Sequence, residues 1–160
     1  MKRLLAIDQA TTKTGYALYN EGKLEKYGKV EFEGTAIERI AQVKNWLDKM
    51  IGVLTVDGSE LEVVLEDIQL QKDVVTFKTL SWLQGTLLVL LQEKHIKVRV
   101  YFSTSWKSTC GVKGKNRGEQ KRNAQKYVVD AFNIKATQDE VDAICLGKHA
   151  VTEDDKVINW

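Results

Sequence analysis

Two short strand-like runs, the apolar Leu4-Leu5-Ala6-Ile7 and the β-branched Leu61 to Leu65, each end at an acid, Asp8 and Glu66. What separates them restricts how they can pair. Thr14 to Asn20 and Leu24 to Phe32 read as strands joined by the turn Glu21-Gly22, so with Lys2 to Asp8 they predict a three-strand antiparallel meander. From Thr35, a capping residue, to about Ile51, the residues Ile37, Ile40, Ala41, Val43, Trp46, Leu47 and Met50 recur every three or four positions, the spacing of an amphipathic helix. A helical crossover brings the next strand back parallel to the first. Asp8 and Glu66 are then expected side by side at one edge of the sheet, where open α/β sheets form their sites.

The remaining elements follow in the same way. Asp73 to Glu93, with Leu83, Leu87, Leu88, Leu90 and Leu91, is apolar on most faces and is expected to be the buried central helix; its apolar residues also exceed one core-facing stripe, which makes it a candidate dimer surface. Lys97 to Phe102 reads as a fifth strand and Ser103 to Thr109 as a short helix. Gly111 to Gly118 is a basic loop, Glu119 to Phe132 a helix, and Thr137 or Gln138 starts a last helix with Val141, Ile144, Cys145 and Leu146. The expected fold is α/β: a five-stranded mixed sheet, its first three strands antiparallel, flanked by helices. Residues 1–152 are expected to form one domain and residues 153–160 an acidic tail.

At 160 residues one core suffices, and the two cysteines, Cys110 and Cys145, fall in no metal-binding or disulfide spacing. Leu87 to Leu91, the longest strongly apolar stretch, is far shorter than the ~20 residues of a membrane span. The N-terminus has no signal-peptide pattern, so a reducing, cytoplasmic location is expected, with no membrane partner.

The net charge of +2 is a cancellation. Residues 94–126 hold ten basic residues against the single acid Glu119, a balance of +9, while residues 1–93 balance to −3 and residues 127–160 to −4. Lys107, Lys113, Lys115, Arg117, Lys121, Arg122 and Lys126 lie within 20 residues, with glycines at 111, 114 and 118 that let a backbone approach phosphates. A run of this kind is either a solvated face or a nucleic-acid footprint.

Asp139 and Asp142 stand three apart at the start of the last helix, hence on one face. Taken singly, each acid has a plain reading: Asp8 an Asx turn, Glu66 a solvated strand end, the aspartates a complement to the helix dipole. Gathered at one spot, four carboxylates require either raised pKa values or divalent cations. Oxygen-only donors suit Mg²⁺ or Mn²⁺, and two ions can clamp the attacking water and the leaving oxygen of a phosphodiester.

These residues resemble a known family. Ala6-Ile7-Asp8-Gln9-Ala10-Thr11-Thr12-Lys13-Thr14-Gly15-Tyr16-Ala17 is similar to the opening hairpin of RuvC-type Holliday junction resolvases of the ribonuclease H-like superfamily, Val64-Leu65-Glu66-Asp67 to their acidic fourth strand, and Gln138-Asp139-Glu140-Val141-Asp142-Ala143-Ile144 to their closing helix. The resemblance runs from about residue 3 to residue 150. It implies a ribonuclease H-like fold and a homodimeric endonuclease that nicks branched DNA with Mg²⁺, Asp8, Glu66, Asp139 and Asp142 forming the metal-binding, catalytic tetrad and leaving a 5′-phosphate and a 3′-hydroxyl. Lys107 and Lys121 match basic positions near that site. Many relatives carry an aromatic just after the catalytic glutamate, which inserts at the junction centre. Here the sequence is Glu66-Asp67-Ile68-Gln69-Leu70, so junction selectivity over forks or flaps is left open. The short, proline-free chain and its acidic end point to a phage or prophage relative.

Gln69 and His149 are auxiliary candidates. His149 is two helical turns beyond Asp142, ~10 Å along the axis, too far to share one ion. It is left as a DNA contact, a proton donor to the leaving group, or a partly exposed helix residue. Trp46 and Trp82 fall in apolar patterns and are expected in the core, Tyr101 and Trp106 near bases or sugars. Two rival activities are hydrolysis of RNA/DNA hybrids and junction binding without cleavage. Asp8 with Thr11 to Gly15 also resembles the phosphate-binding hairpin of actin-like sugar kinases, but the chain is too short for two lobes and has no second phosphate loop, so no nucleotide cofactor is expected.

Overall fold

The computed structural model describes residues 1–70 and 73–153, and in it the meander is present: β1 (Lys2–Asp8), β2 (Lys13–Asn20) and β3 (Lys23–Glu31) pair antiparallel. Glu21 and Gly22 both take positive φ, 47° and 77°, the hairpin geometry whose twist matches the flanking strands. Helix α1 (Ala36–Thr55) starts at a reciprocal cap, in which the Thr35 N–H donates to Glu38 Oε2 at 2.7 Å and the Glu38 N–H to Thr35 Oγ1 at 3.3 Å. It returns the chain to β4 (Glu60–Glu66), parallel to β1, and α2 (Val74–Glu93) leads to β5 (Lys97–Tyr101), parallel to β4. The sheet order is β3-β2-β1-β4-β5, and α3 (Ser103–Thr109), α4 (Arg117–Phe132) and α5 (Gln138–Thr152) complete the domain. Helix α4 begins two residues before the expected Glu119, at the Asn116 cap. Residues 154–160 of the expected tail lie outside the described residues.

Alternation along β1 divides the core. Leu4 and Ala6 face α3, α4 and α5, whereas Leu5 and Ile7 face α1 and α2. The central helix is α5, not the leucine-rich α2. Helix α5 buries Val141, Ala143, Ile144, Cys145, Leu146, Gly147, His149 and Ala150 against β1 and β2. Its approach depends on small residues: Ala6 and Ala17 lie beneath it, and a β-carbon on Gly147 would stand 3.1 Å from that of Ala6 and closer still to the Tyr19 ring. Tyr19 Oη fixes the seat by donating to the Ile144 carbonyl at 2.6 Å.

Helix α2 buries one stripe, Leu83, Gln84, Leu87, Leu90 and Leu91, and leaves Val74, Val75, Trp82 and Val89 exposed. By length and composition it is the one described helix apolar enough to cross a membrane, with 28% of its most apolar window buried. Trp82, expected in the core, is 45% exposed because it lies off that stripe, and Lys78 Nζ lies 5.0 Å from its ring centroid. Trp46 is half-buried, packed at 5.7 Å on Tyr16. Cys110 and Cys145 are buried free thiols.

Candidate active site

The parallel register of β1 and β4 pairs Ile7 with Leu65, so the next residues, Asp8 and Glu66, leave the sheet side by side. Asp139 and Asp142 come to the same edge because the first turn of α5 rests on β2. A β-carbon on Gly15, the strand partner of Asp8, would fall within 2.5 Å of the Asp139 carbonyl carbon, so backbone meets backbone there. The four carboxylates line one cavity of about 300 Å³ together with Trp106, Lys107, Val112, Arg117, Gln120, Lys121, Ala124 and Gln138.

Electrostatics at the four acids are uneven. Burial, followed by the charges of Asp142, Glu66 and Asp139, pushes the Asp8 pKa well above the usual carboxylate range. Burial also raises Glu66, opposed by the Trp106 hydrogen bond and the Lys107 charge. Asp142 is raised to about 6, chiefly by burial, while Gln138 and Lys107 pull it down and Glu66 and Asp139 push it up. Trp106 Nε1 donates to Glu66 Oε2 at 2.8 Å and Gln138 Nε2 to Asp142 Oδ1 at 2.7 Å.

Among the described residues no three His, Cys, Asp or Glu side chains are arranged as ligands of a single ion. Glu66 and Asp142 are each turned in part to a protein donor instead. The donor set is nevertheless one that Mg²⁺ accepts, four carboxylates around a polar cavity with Asp8 raised by burial and then by its acidic neighbours.

The basic window divides. Lys107, Arg117 and Lys121 line the cavity, whereas Lys113, Lys115 and Arg122 are exposed outside it. Lys94, Lys97 and Arg99, counted in the +9, are engaged elsewhere. Lys94 pairs with Asp48 at 2.9 Å, Lys97 lies 3.8 Å from Glu62, and Arg99 is buried, donating to Glu62, to Tyr101 Oη at 3.0 Å and to the Ala150 carbonyl at 3.1 Å. The positive surface is therefore residues 107–126. Two of its glycines also have local structural roles: Gly111 ends α3 with φ +62°, and a β-carbon on Gly114 would stand 2.8 Å from the Gln120 nitrogen. The Gly114 contact seats the loop on α4.

Three expectations about individual side chains are corrected. His149 is 4% exposed, its Nδ1 2.6 Å from Thr109 Oγ1 and its ring edge-on to Tyr101, because it lies on the covered half of the central helix. It is therefore a buried residue rather than a partly exposed one. Tyr101 and Trp106 are buried rather than presented to bases, since Tyr101 packs edge-on against His149 of α5 and the Trp106 ring turns from α3 into the core. Gln69 is exposed, donates to Ser103 Oγ at 2.6 Å and lines a smaller adjoining cavity with Asp8, Gln9, Glu66 and Ile68. Sequence reasoning missed Gln138, four residues before Asp142 on the same helix face, a spacing that was available as a signal. It also missed Gln9 and Gln84, which donate to the Glu66 carbonyl at 2.9 and 3.3 Å. The aromatic absent after Glu66 has a neighbour in space: Tyr101 is the strand partner of Glu66, and Phe102, next in the chain, is 58% exposed.

Three solved structures share this architecture. RuvC of Thermus thermophilus in complex with a Holliday junction substrate is 16% identical with a TM-score of 0.71, over 94% of each chain. A second T. thermophilus RuvC structure is 20% identical, over 93% of each chain, with a TM-score of 0.70. The fold is that of RuvC. The yeast mitochondrial Holliday junction resolvase matches 94% of this chain and 78% of its own at 11% identity and a TM-score of 0.60. No protein-family model and no curated protein sequence matches the chain. The likeness is therefore one of fold, and the RuvC-like arrangement of strands and closing helix is what brings the four acids together.

Proposed function

We propose that the chain is a divalent-metal-dependent endonuclease that nicks branched DNA, Holliday junctions first among its substrates. The observation that carries this reading is the single cavity lined by Asp8, Glu66, Asp139 and Asp142 and edged by Lys107, Arg117 and Lys121, on a RuvC fold. Those four acids would hold two Mg²⁺ ions, which supply an activated water and offset charge on the leaving oxygen. The remaining work falls to the chain. Lys107, beside Glu66 and Asp142, offsets their charge and receives the scissile phosphate, which four bare carboxylates would repel. Arg117 and Lys121 hold the flanking phosphates at the rim, and Lys113, Lys115 and Arg122 extend the track outward. Hydrolysis leaves a 5′-phosphate and a 3′-hydroxyl.

Paired nicks require two such sites, and the outer face of α2 supports a homodimer. Val75, Trp82 and Val89 are exposed there, and Leu88 and Val89 line an apolar groove of about 470 Å³ against the edge strand β5. A second copy of α2 matches such a face because the contact is self-complementary.

The test is cleavage of labelled four-way junctions, forks, flaps, linear duplexes and RNA/DNA hybrids, with Mg²⁺ or chelator. Junction nicking in Mg²⁺ alone, lost in Asp8→Asn and Glu66→Gln while junction binding persists, is expected. Undiminished cleavage in either variant, or cleavage confined to hybrids, would overturn the reading.

A further inference from the structure

The Glu66 residue is gripped at both ends. Its carbonyl accepts from Gln9 and Gln84, and the N–H of Asp67 donates to the Tyr101 carbonyl at 2.8 Å, so the backbone at the end of β4 is fixed on two sides. Its carboxylate accepts from Trp106 at 2.8 Å, and Trp106 is 2% exposed. The indole is anchored in turn by core packing under α3 and α4, and Lys107 Nζ lies 5.6 Å from its ring centroid.

We propose that Trp106 is a positioning residue, whose indole N–H holds one oxygen of Glu66 so that the carboxylate meets a divalent cation already aimed. The inference rests on the metal site proposed above. An indole suits this task for chemical reasons. It is a donor only, so it does not compete for a cation, and it carries no charge that would repel one. A buried indole N–H needs an acceptor, and Glu66 supplies it, so each group fixes the other. Glutamate has three side-chain torsions to restrict, and the cost of ordering them is met on folding rather than on metal binding. Outer partners of metal-ligating carboxylates typically change metal affinity or activity by 10–100-fold when removed. The ring that aims Glu66 also bears on Lys107, so one side chain sets the relation between the acid and the cavity lysine.

The experiment compares Mn²⁺ affinity, measured by calorimetry on the full chain, before and after Trp106 is replaced by its benzothienyl isostere, in which sulfur takes the place of the N–H at nearly unchanged volume. Trp106→Phe serves as a second variant. We expect about 10–100-fold weaker Mn²⁺ binding with little change in the unfolding temperature in chelator. In a Glu66→Gln background the isostere should cause no further loss, because the carboxylate it acts through is gone. Equal affinity with and without the N–H, or the same loss in both backgrounds, would overturn the proposal. The comparison requires no cleavage, so an isostere defect in a chain that never nicks DNA supports the role of Trp106 and overturns only the nuclease reading.

Discussion

Gly15 and Asp139 touch through their backbones: the strand partner of Asp8 leaves no room for a β-carbon beneath the first turn of the helix that carries Asp139 and Asp142. Gly15 is therefore the point at which the two halves of the acidic cavity are held at their spacing. Gly15→Ala should cost about 1–3 kcal/mol, the range for overpacking a closed site, or displace the start of α5. Thermal unfolding reads the first outcome. A fall in nicking of at least about tenfold with junction binding retained reads the second.

Crowded carboxylates should make the metal-free protein less stable as pH rises. Asp142 takes up its proton at about 6 in the folded chain, against 3.8 for the free side chain, so the folded state binds more protons between those values. The stability associated with the group is present below pH 3.8 and is lost as pH rises through 6. In chelator at pH 7.5, Asp142→Asn should raise the unfolding temperature by roughly 3 °C, equivalent to about 1 kcal/mol. Saturating Mg²⁺ should abolish the advantage. Differential scanning calorimetry in both buffers checks the sign.

Two classes of lysine should separate kinetically. Lys107 lines the cavity, so Lys107→Gln should lower kcat by at least about tenfold with little change in KM. Lys113 and Lys115 are exposed away from it, so their joint replacement by Ala should leave kcat intact and weaken DNA affinity. The slope of log affinity against log salt should drop by about 2, close to one per lost phosphate contact. Filter binding across a salt series distinguishes the two.

Phe102, 58% exposed and next in the chain to the strand partner of Glu66, is expected to offer a stacking surface to an unpaired base. Phe102→Ala should weaken junction binding by about 1–3 kcal/mol and leave linear duplex binding unchanged. Competition binding between the two DNAs measures the ratio.

A charge on the outer face of α2 should separate the proposed copies. Val89→Lys, at an exposed position on the apolar groove, should yield a monomer by sedimentation equilibrium. That monomer should keep single nicks and lose paired ones.

Much of this architecture was legible because the residues that decide it are local. The Glu21-Gly22 turn, the Thr35 cap and the strand-like runs ending at Asp8 and Glu66 each fix an element or a register by themselves. The identity of the central helix was not legible by hydrophobicity, since the leucine-rich α2 covers only one edge. The innermost place goes to α5, where Ala143, Gly147 and Ala150 permit close approach to Ala6 and Ala17. Size rather than apolarity selects the helix that can lie flat on that sheet. Trp106 was misplaced for a related reason. Its neighbour Lys107 and the basic loop mark a surface, and nothing in the local sequence reveals that its N–H has a partner 40 residues away. The charge count failed at Lys94, Lys97 and Arg99 because ion pairing to Asp48 and Glu62 is a tertiary fact.

Glu119, the one acid in the basic stretch, also has a consequence for how DNA is met. Its carboxylate accepts the Lys115 N–H at 2.9 Å, its own N–H donates to Asn116 Oδ1 at 2.9 Å, and Asn123 and Gln120 donate to the carbonyls of Lys113 and Gly114. The cationic loop is thus ordered on α4 in the free protein. Little conformational entropy remains to be lost when phosphates arrive, so association should be governed by counterion release and should carry only a small ordering penalty, unlike that of a disordered basic arm that folds on its target.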